Sequence, residues 1–285
     1  MFEQEKKMFL FELKNFAGSL MERITVNGEW TIRGFIDIFK NIYTVSSDTK
    51  IISKALELHL FPYFLKFADR IGYDIELASH QNYYPDLTFV SKQNTSIKFA
   101  VDLKTTYRDE KYPEFCNGFT LGSHGKYFVN RKSSKNIQYP YQEYSGHFCL
   151  GIIYTRSQLS NIEETQIYNI SEIDKVPPVI KDFIFFAEEK WKIASDKSGS
   201  GNTANIGSIR KIDDILTGNG VFAKAGNEFF DDYWVNYGKL EILKKNGKVK
   251  KLSSFVDYLE YRGLSKELNN PCASKRNKKK RSKKD

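Results

Sequence analysis

Apolar residues recur at helical spacing over residues 5–24, where Phe9, Phe11, Leu13, Phe16 and Leu20 stand among charged neighbours. The pattern then shortens. In "GFIDIFKNIYTV" the apolar positions Phe35, Ile36, Ile38, Ile42, Tyr43 and Val45 flank Lys40-Asn41, which predicts two strands and a tight turn. "SSDTK" supplies capping residues for a helix over 49–71 that ends at Gly72, with Pro62 expected to kink or divide it. "PDLTFV" and "SIKFAVDLK", separated by "SKQNT", predict a hairpin over 84–104. Further β-type runs fall at 147–155, 165–170 and 190–195, and "PPVIKDFIFFAEE" reads as mixed. "SSFVDYLEYRG" predicts a short helix with a serine cap and a glycine stop at Gly263. No internal repeat is visible. Helices before and after a mixed or antiparallel sheet predict an α/β or α+β fold.

Composition narrows the class. The chain has 285 residues, 40% hydrophobic and 15% aromatic, enough for a sizeable core in one large domain or two modest ones. No run approaches the length of a membrane span, and the first residues are charged too early for a signal peptide. Cys116, Cys149 and Cys272 are too widely spaced for a disulfide framework or a zinc pattern and read as reduced thiols, so a cytoplasmic protein without membrane partners is expected. The net charge of +9 is concentrated. "KRNKKKRSKKD", residues 275–285, holds eight Lys/Arg and one Asp; the remaining 36 basic and 34 acidic residues leave only +2. Such a tail reads as a solvated, disordered end, or as a source of non-specific attraction to phosphates.

The stretch "SGSGNTANIGS", 198–208, matches the spacing G-x-G-x-x-G/A of a dinucleotide loop. A dinucleotide site also needs a helix opening behind the glycines, whose N-terminus receives the pyrophosphate. Asn205-Ile206-Gly207-Ser208 is a poor helix start, and no Gly-Lys-Ser/Thr follows, so a nucleotide cofactor is not expected. Composition alone fits an ordinary surface turn. Asn and Thr held between glycines also suit a loop that presses short polar groups against base edges.

A second constellation carries chemistry. Asp102 and Lys104 lie two apart in an apolar run, so they share one strand face while Val101 and Leu103 share the other. If the turn centres on Asn94, antiparallel pairing puts Asp86 opposite Asp102. Two carboxylates stay ionised together most easily with a cation between them, and oxygen ligands suit Mg²⁺. Such an ion beside a lysine can activate water and offset charge on a phosphate. D-x-K occurs three times, but only Asp102-Leu103-Lys104 lies in a strand-like run at hairpin distance from Pro85-Asp86. The pattern reads as a phosphodiester-cleaving site or as a solvated hairpin with an ordinary salt bridge.

The ordered series "SSDTK", "LELHLF", "HQNYYPDLTF", "FAVDLKTTY", "KNIQYP", "WKIA", "SGSGNTANIGS", "DYWVNY" and "YRG" resembles the EcoRV family of type II restriction endonucleases, of the PD-(D/E)XK nuclease class, from about residue 33 to 263. The resemblance implies a homodimer that cuts double-stranded DNA with Mg²⁺ at GATATC, leaving blunt ends. It implies that Asp86 and Asp102 hold metal, that Lys104 is catalytic, and that Glu57 is a further metal-binding carboxylate. From the residues alone, Glu57 reads as the exposed face of a helix. Gln81 and Asn82 match a loop near the minor groove, and Thr49 and Lys50 match a segment near the scissile backbone. Gly199, Ser200, Gly201, Asn202, Thr203 and Asn205 match the base-recognition loop. An endonuclease domain over 31–265 is expected, with a dimerisation part at 31–48, the catalytic hairpin at 84–104 and the recognition loop at 198–208. Residues 1–30 are expected as a helical extension and 266–285 as a basic tail.

The chain departs from the family in places. Ala204 replaces a second threonine, "GSHGKYFVNRK" (122–132) differs from a phosphate-contacting stretch, and "VNYGKLEILKK" lacks arginines that the family places near DNA.

Overall fold

The computed structural model describes residues 2–80, 83–160, 166–199, 205–243 and 247–271. The chain divides into two compact units, Met1–Pro113 with Asn130–Glu189, and Glu114–Val129 with Lys190–Asp285.

The first unit is built on a seven-stranded mixed sheet. Its strands in chain order are β1 (Thr25–Val26), β2 (Glu29–Trp30), β3 (Tyr73–Leu77), β4 (Leu87–Ser91), β5 (Lys98–Tyr107), β6 (Gly146–Arg156) and β7 (Ile180–Glu189). Across the sheet they run β1-β2-β7-β6-β5-β4-β3. Only the β5–β6 pair is parallel. Helices α1 (Glu3–Ile24) and α2 (Thr49–Arg70) close the core. Phe9, Leu13, Phe16 and Leu20 of α1 and Ile52, Leu56, Leu60 and Phe64 of α2 join Phe89, Phe99, Val101, Phe148 and Leu150 of the sheet. Phe9 stacks on Phe99 with ring centroids 4.3 Å apart. Burying each such side chain contributes about 1.5–3 kcal/mol.

The N-terminal segment, expected as an extension, is therefore part of this core. Phe11 is the one predicted apolar position on α1 that faces solvent, because the buried stripe follows 9, 13, 16, 17, 20 and 24. Asp48 caps α2 by accepting from the Lys50 and Ile51 amides. Pro62 was expected to kink or divide this helix, and it does not divide it, since Thr49–Arg70 runs as one helix. Pro62 lies on the exposed side, so solvent can satisfy the carbonyl it leaves free, while Leu60, Phe64 and Phe67 clamp the other side. The mixed stretch 177–189 resolves into β7, with a register shift between Lys181 and Ile184.

The expected turn at Lys40-Asn41 joins the strands Gly34–Ile36 and Asn41–Thr44, and Ile167–Asn169 completes a small antiparallel sheet. Asp37 fixes this turn by accepting from the amides of Phe39 and Asn41, each at 2.9 Å.

In the second unit, Ala194–Ser198, Asn205–Ser208 and Thr120–His124 form a three-stranded sheet in that order. Residues 190–195 were expected as a strand, but Lys190–Ile193 is a helical turn and the strand begins at Ala194. Lys190 and Ile193 are both buried, a three-residue spacing that one helical turn satisfies and a strand does not. Ser254 caps the expected helix Phe255–Tyr261. The tail begins later than its composition indicates. Lys266–Leu268 forms a 3-10 turn, and Asn270, 9% exposed, donates its amide to the Val221 carbonyl at 3.1 Å. Residues 272–285, including Cys272, lie outside the described residues; Cys116 and Cys149 are buried and are not joined to each other in a disulfide. Among the described residues no helix is long and apolar enough to cross a membrane.

Candidate active site

The β4–β5 hairpin turns on Asn94, whose carbonyl accepts from the Ile97 amide at 2.9 Å and whose side chain accepts from the Ser96 amide at 3.0 Å. This turn sets the register Leu87↔Val101, Thr88↔Ala100, Phe89↔Phe99. One step beyond Leu87↔Val101, Asp86 faces Asp102, as the residue count from Asn94 predicts. Val101 and Leu103 point into the core, and so direct Asp102 and Lys104 to the other face.

The three charged groups meet. The Asp86 amide donates to Asp102 Oδ1 at 3.2 Å, and the Leu103 amide donates to Asp86 Oδ2 at 2.8 Å. Lys104 Nζ lies 3.2 Å from Asp86 Oδ2 and 3.8 Å from Asp102 Oδ2. Their exposure differs: the side chain of Asp102 is 3% accessible, Lys104 19% and Asp86 39%. Asp102 is thus a fixed, buried acceptor, while Asp86 sits at the rim. Loss of hydration raises the Asp86 carboxyl above its usual range; Lys104 pulls it down, and the Asp102 charge pushes it up again. Burial works against the Lys104 ammonium, but Asp102 and Asp86 outweigh it and hold the lysine protonated well above its ordinary value. Lys104 is therefore a donor at neutral pH.

A cleft of about 770 Å³ opens beside Asp86. Thr49, Lys50 and Glu57 of α2 line it together with His80 and Thr105. Four expected site residues from two distant segments, Thr49, Lys50, Glu57 and Asp86, thus share one cleft wall. Glu57 is half exposed and engaged with Lys54, whose Nζ lies 2.8 Å from its carboxylate. Sequence reasoning missed Lys54, although its three-residue spacing from Glu57 on a helix was a usable signal. Among the described residues no group of three or more His, Cys, Asp or Glu stands close enough to hold a metal. Gln81 and Asn82 lie outside the described residues.

A family model described as restriction endonuclease EcoRV matches residues 26–263. The chain is also 37% identical over 238 residues to the type II restriction enzyme EcoRV of Escherichia coli, which covers 83% of this chain and 94% of that protein. This chain belongs to the EcoRV restriction endonuclease family. It is a type II restriction endonuclease, a site-specific deoxyribonuclease, and the mixed sheet flanked by helices is the family's α+β fold.

In this EcoRV-family chain the glycine loop leaves one antiparallel strand and enters another. Ser198 pairs with Ile206, and the Gly199 amide donates to the Asn205 carbonyl at 2.8 Å, which closes the stem. No helix opens behind the loop, so the stem lacks the strand–turn–helix setting of a dinucleotide site. Gly199 is required for packing: a Cβ there would lie 2.6 Å from Thr120 Cγ2. Ser200, Gly201, Asn202 and Thr203 lie outside the described residues.

Proposed function

We propose that this endonuclease acts as a cytoplasmic homodimer that hydrolyses both strands of duplex DNA at GATATC, with Mg²⁺, leaving blunt ends. The observation that carries this reading is the convergence of Asp86, Asp102 and Lys104 beside an open cleft. The donor set fits a hard divalent cation. One carboxylate is buried and fixed, the other faces the cleft, and Mg²⁺ needs only one or two protein carboxylates because it keeps waters and takes phosphate oxygens. Asp86 and Asp102 would hold the ion, with Glu57 as a further carboxylate once it leaves Lys54. When bound, the ion lowers the pKa of a water and offsets charge on the phosphate. Lys104, kept protonated, donates to the attacking water or to the phosphate oxygens as negative charge develops there. Thr49 and Lys50 meet the backbone from α2, and Gln81 and Asn82 meet the minor-groove side. Gly199, Ser200, Gly201, Asn202, Thr203 and Asn205 read bases in the major groove, where Asn can pair two-pronged with adenine.

A palindrome presents one half-site twice, so a two-fold dimer lets one loop read each half. The small sheet at 34–44 supports this reading: Phe35, Ile36, Phe39 and Ile167 are exposed, and Ile38 is 89% exposed, an apolar surface suited to a second copy. The central TA step unstacks readily, so DNA bending can add discrimination without direct contacts.

The test incubates plasmid DNA with protein and Mg²⁺ and sequences the ends, with Asp102→Ala as control. Blunt ends at GATATC are expected. Cutting elsewhere would replace the site but keep the chemistry, and no cutting would indicate a DNA-binding protein with an inactive core.

A further inference from the structure

The sheet face that carries Asp102 also carries, two pairing steps away, the row Thr88, Ala100 and His147 across β4, β5 and β6. Segment 137–145 and Tyr84 bring aromatic rings over this row. His147 stacks on Tyr141, with centroids 3.9 Å apart and planes 10° apart, and the Tyr144 ring lies 5.4 Å away. Tyr84 Oη is 2.7 Å from His147 Nδ1, and Tyr144 Oη is 3.1 Å from Thr88 Oγ1. Tyr84, Tyr141 and Tyr144 are buried. The backbone of Tyr84 is held as well: its amide donates to the Asn136 carbonyl at 3.0 Å, and its carbonyl accepts from the Gln138 amide at 2.8 Å.

We infer that His147 is a positioning residue for the Asp86 carboxylate and acts through Tyr84. Only Pro85 separates Tyr84 from Asp86, and the proline ring removes one soft torsion from that link. Asp86 is more than a third exposed, so packing does little to fix it; its anchors are the hydrogen bonds with Asp102 Oδ1, the Leu103 amide and Lys104 Nζ and the chain that leads from Tyr84. Losing the imidazole removes this 2.7 Å hydrogen bond from the buried Tyr84 hydroxyl and loosens the segment that leads to Asp86. His147 does not line the cleft. The inference rests on the nuclease reading above, in which Asp86 would hold the ion together with Asp102.

The experiment uses the full chain and a cognate duplex. His147→Leu is expected to lower kcat about 10–100-fold, the loss that a displacement near 1 Å produces, while KM stays within roughly 2-fold. His147→Asn, which returns a polar atom near the Nδ1 position, should restore most of the rate. Tyr84→Phe should match His147→Leu, and the double variant should be no slower than the slower single one, as expected for two members of one linkage. Hydrogen exchange of the Leu103 amide, which donates to Asp86, should quicken in His147→Leu. A folded His147→Leu protein with native kcat and native Leu103 exchange overturns the inference, as do additive single effects. If His147→Leu does not fold, Tyr84→Phe decides: a native kcat overturns the linkage. Wild-type protein that cuts no duplex refutes the nuclease reading instead, and Leu103 exchange then still tests the positioning.

Discussion

The hairpin that carries Asp86 and Asp102 and the hairpin that carries the glycine loop are both antiparallel ladders, but their side chains of interest occupy opposite parts. In the first, Asp102 and Lys104 sit within a strand, and Asp86 lies one step from the ladder, tied to its partner strand by three hydrogen bonds. In the second, the strands Ala194–Ser198 and Asn205–Ser208 form a stem that includes the candidate Asn205, and the candidates Ser200, Gly201, Asn202 and Thr203 fall between the two strands in sequence. Strand positions are fixed by pairing, and a one-residue slip would turn every side chain to the wrong face. Loop positions can change identity without disturbing the ladder. On the proposed reading, the chemistry falls where pairing holds the backbone, and target choice falls where substitution leaves the ladder intact.

That contrast can be broken most decisively at the first hairpin. Asp102→Ala should abolish cleavage on every DNA sequence, and Lys104→Ala should slow it on the order of 10²–10³-fold, measured as single-turnover rates. Equal losses on cognate and substituted sites are expected; a loss confined to some sequences would give this hairpin a role in readout. Next in size is Ile38→Lys. If the proposed dimer forms on the small sheet, this change should separate the subunits in sedimentation and convert double-strand cuts into slow nicking.

A smaller effect is expected at the second hairpin. Asn202→Ala should cost about 1–3 kcal/mol of discrimination at the adjacent adenine, read from rate ratios on single-base-substituted duplexes. An unchanged ratio with a lowered rate would move this residue from selection to catalysis.

Acidification sharpens the contrast further. The folded Asp86 carboxyl is raised, so its ionisation opposes folding. The penalty is complete above the raised folded value and disappears as pH falls below the ordinary carboxylate value. Asp86→Asn should therefore raise the melting temperature of the metal-free protein at neutral pH by a few degrees or less, with the gain shrinking toward acid, while cleavage is lost. A lower melting temperature at neutral pH would count against the raised carboxyl. The smallest effect is assigned to the tail. Deleting 272–285 should flatten the salt dependence of non-specific binding and leave melting unchanged. An unaltered slope would remove the tail from DNA binding.

Much of this was legible before any coordinates. Period-2 alternation around Val101-Asp102-Leu103-Lys104, with a turn residue eight positions from each aspartate, sufficed for the catalytic register because strand geometry is local and repetitive. Capping residues did the same for α2. Three features were not legible. Pro62 within α2 depends on which side of the helix meets solvent, and tertiary packing decides that. Lys190–Ile193 is too short for its period to separate a helical turn from a strand. Asn270 is anchored by partners 50 residues away, which no local composition reports. Glu57 was an exposed helical residue by spacing alone; its place in the cleft that Asp86 also lines arises only when α2 and the hairpin come together.

Helix α1 has a consequence for how the molecule is made. Lys14 reaches Glu188 at 2.6 Å, and Lys6 reaches Glu189 at 3.0 Å, so the first helix docks on nearly the last residues of its unit. These contacts span 174 residues of chain in the Lys14–Glu188 case. During synthesis Phe16 of α1 can meet Phe64 and Phe67 once α2 is made, but the pairs with Glu188 and Glu189 form only after residue 189 has left the ribosome. Ribosomal stalls between these points should yield fragments in which α1 lacks its β7 contacts and which are prone to aggregate.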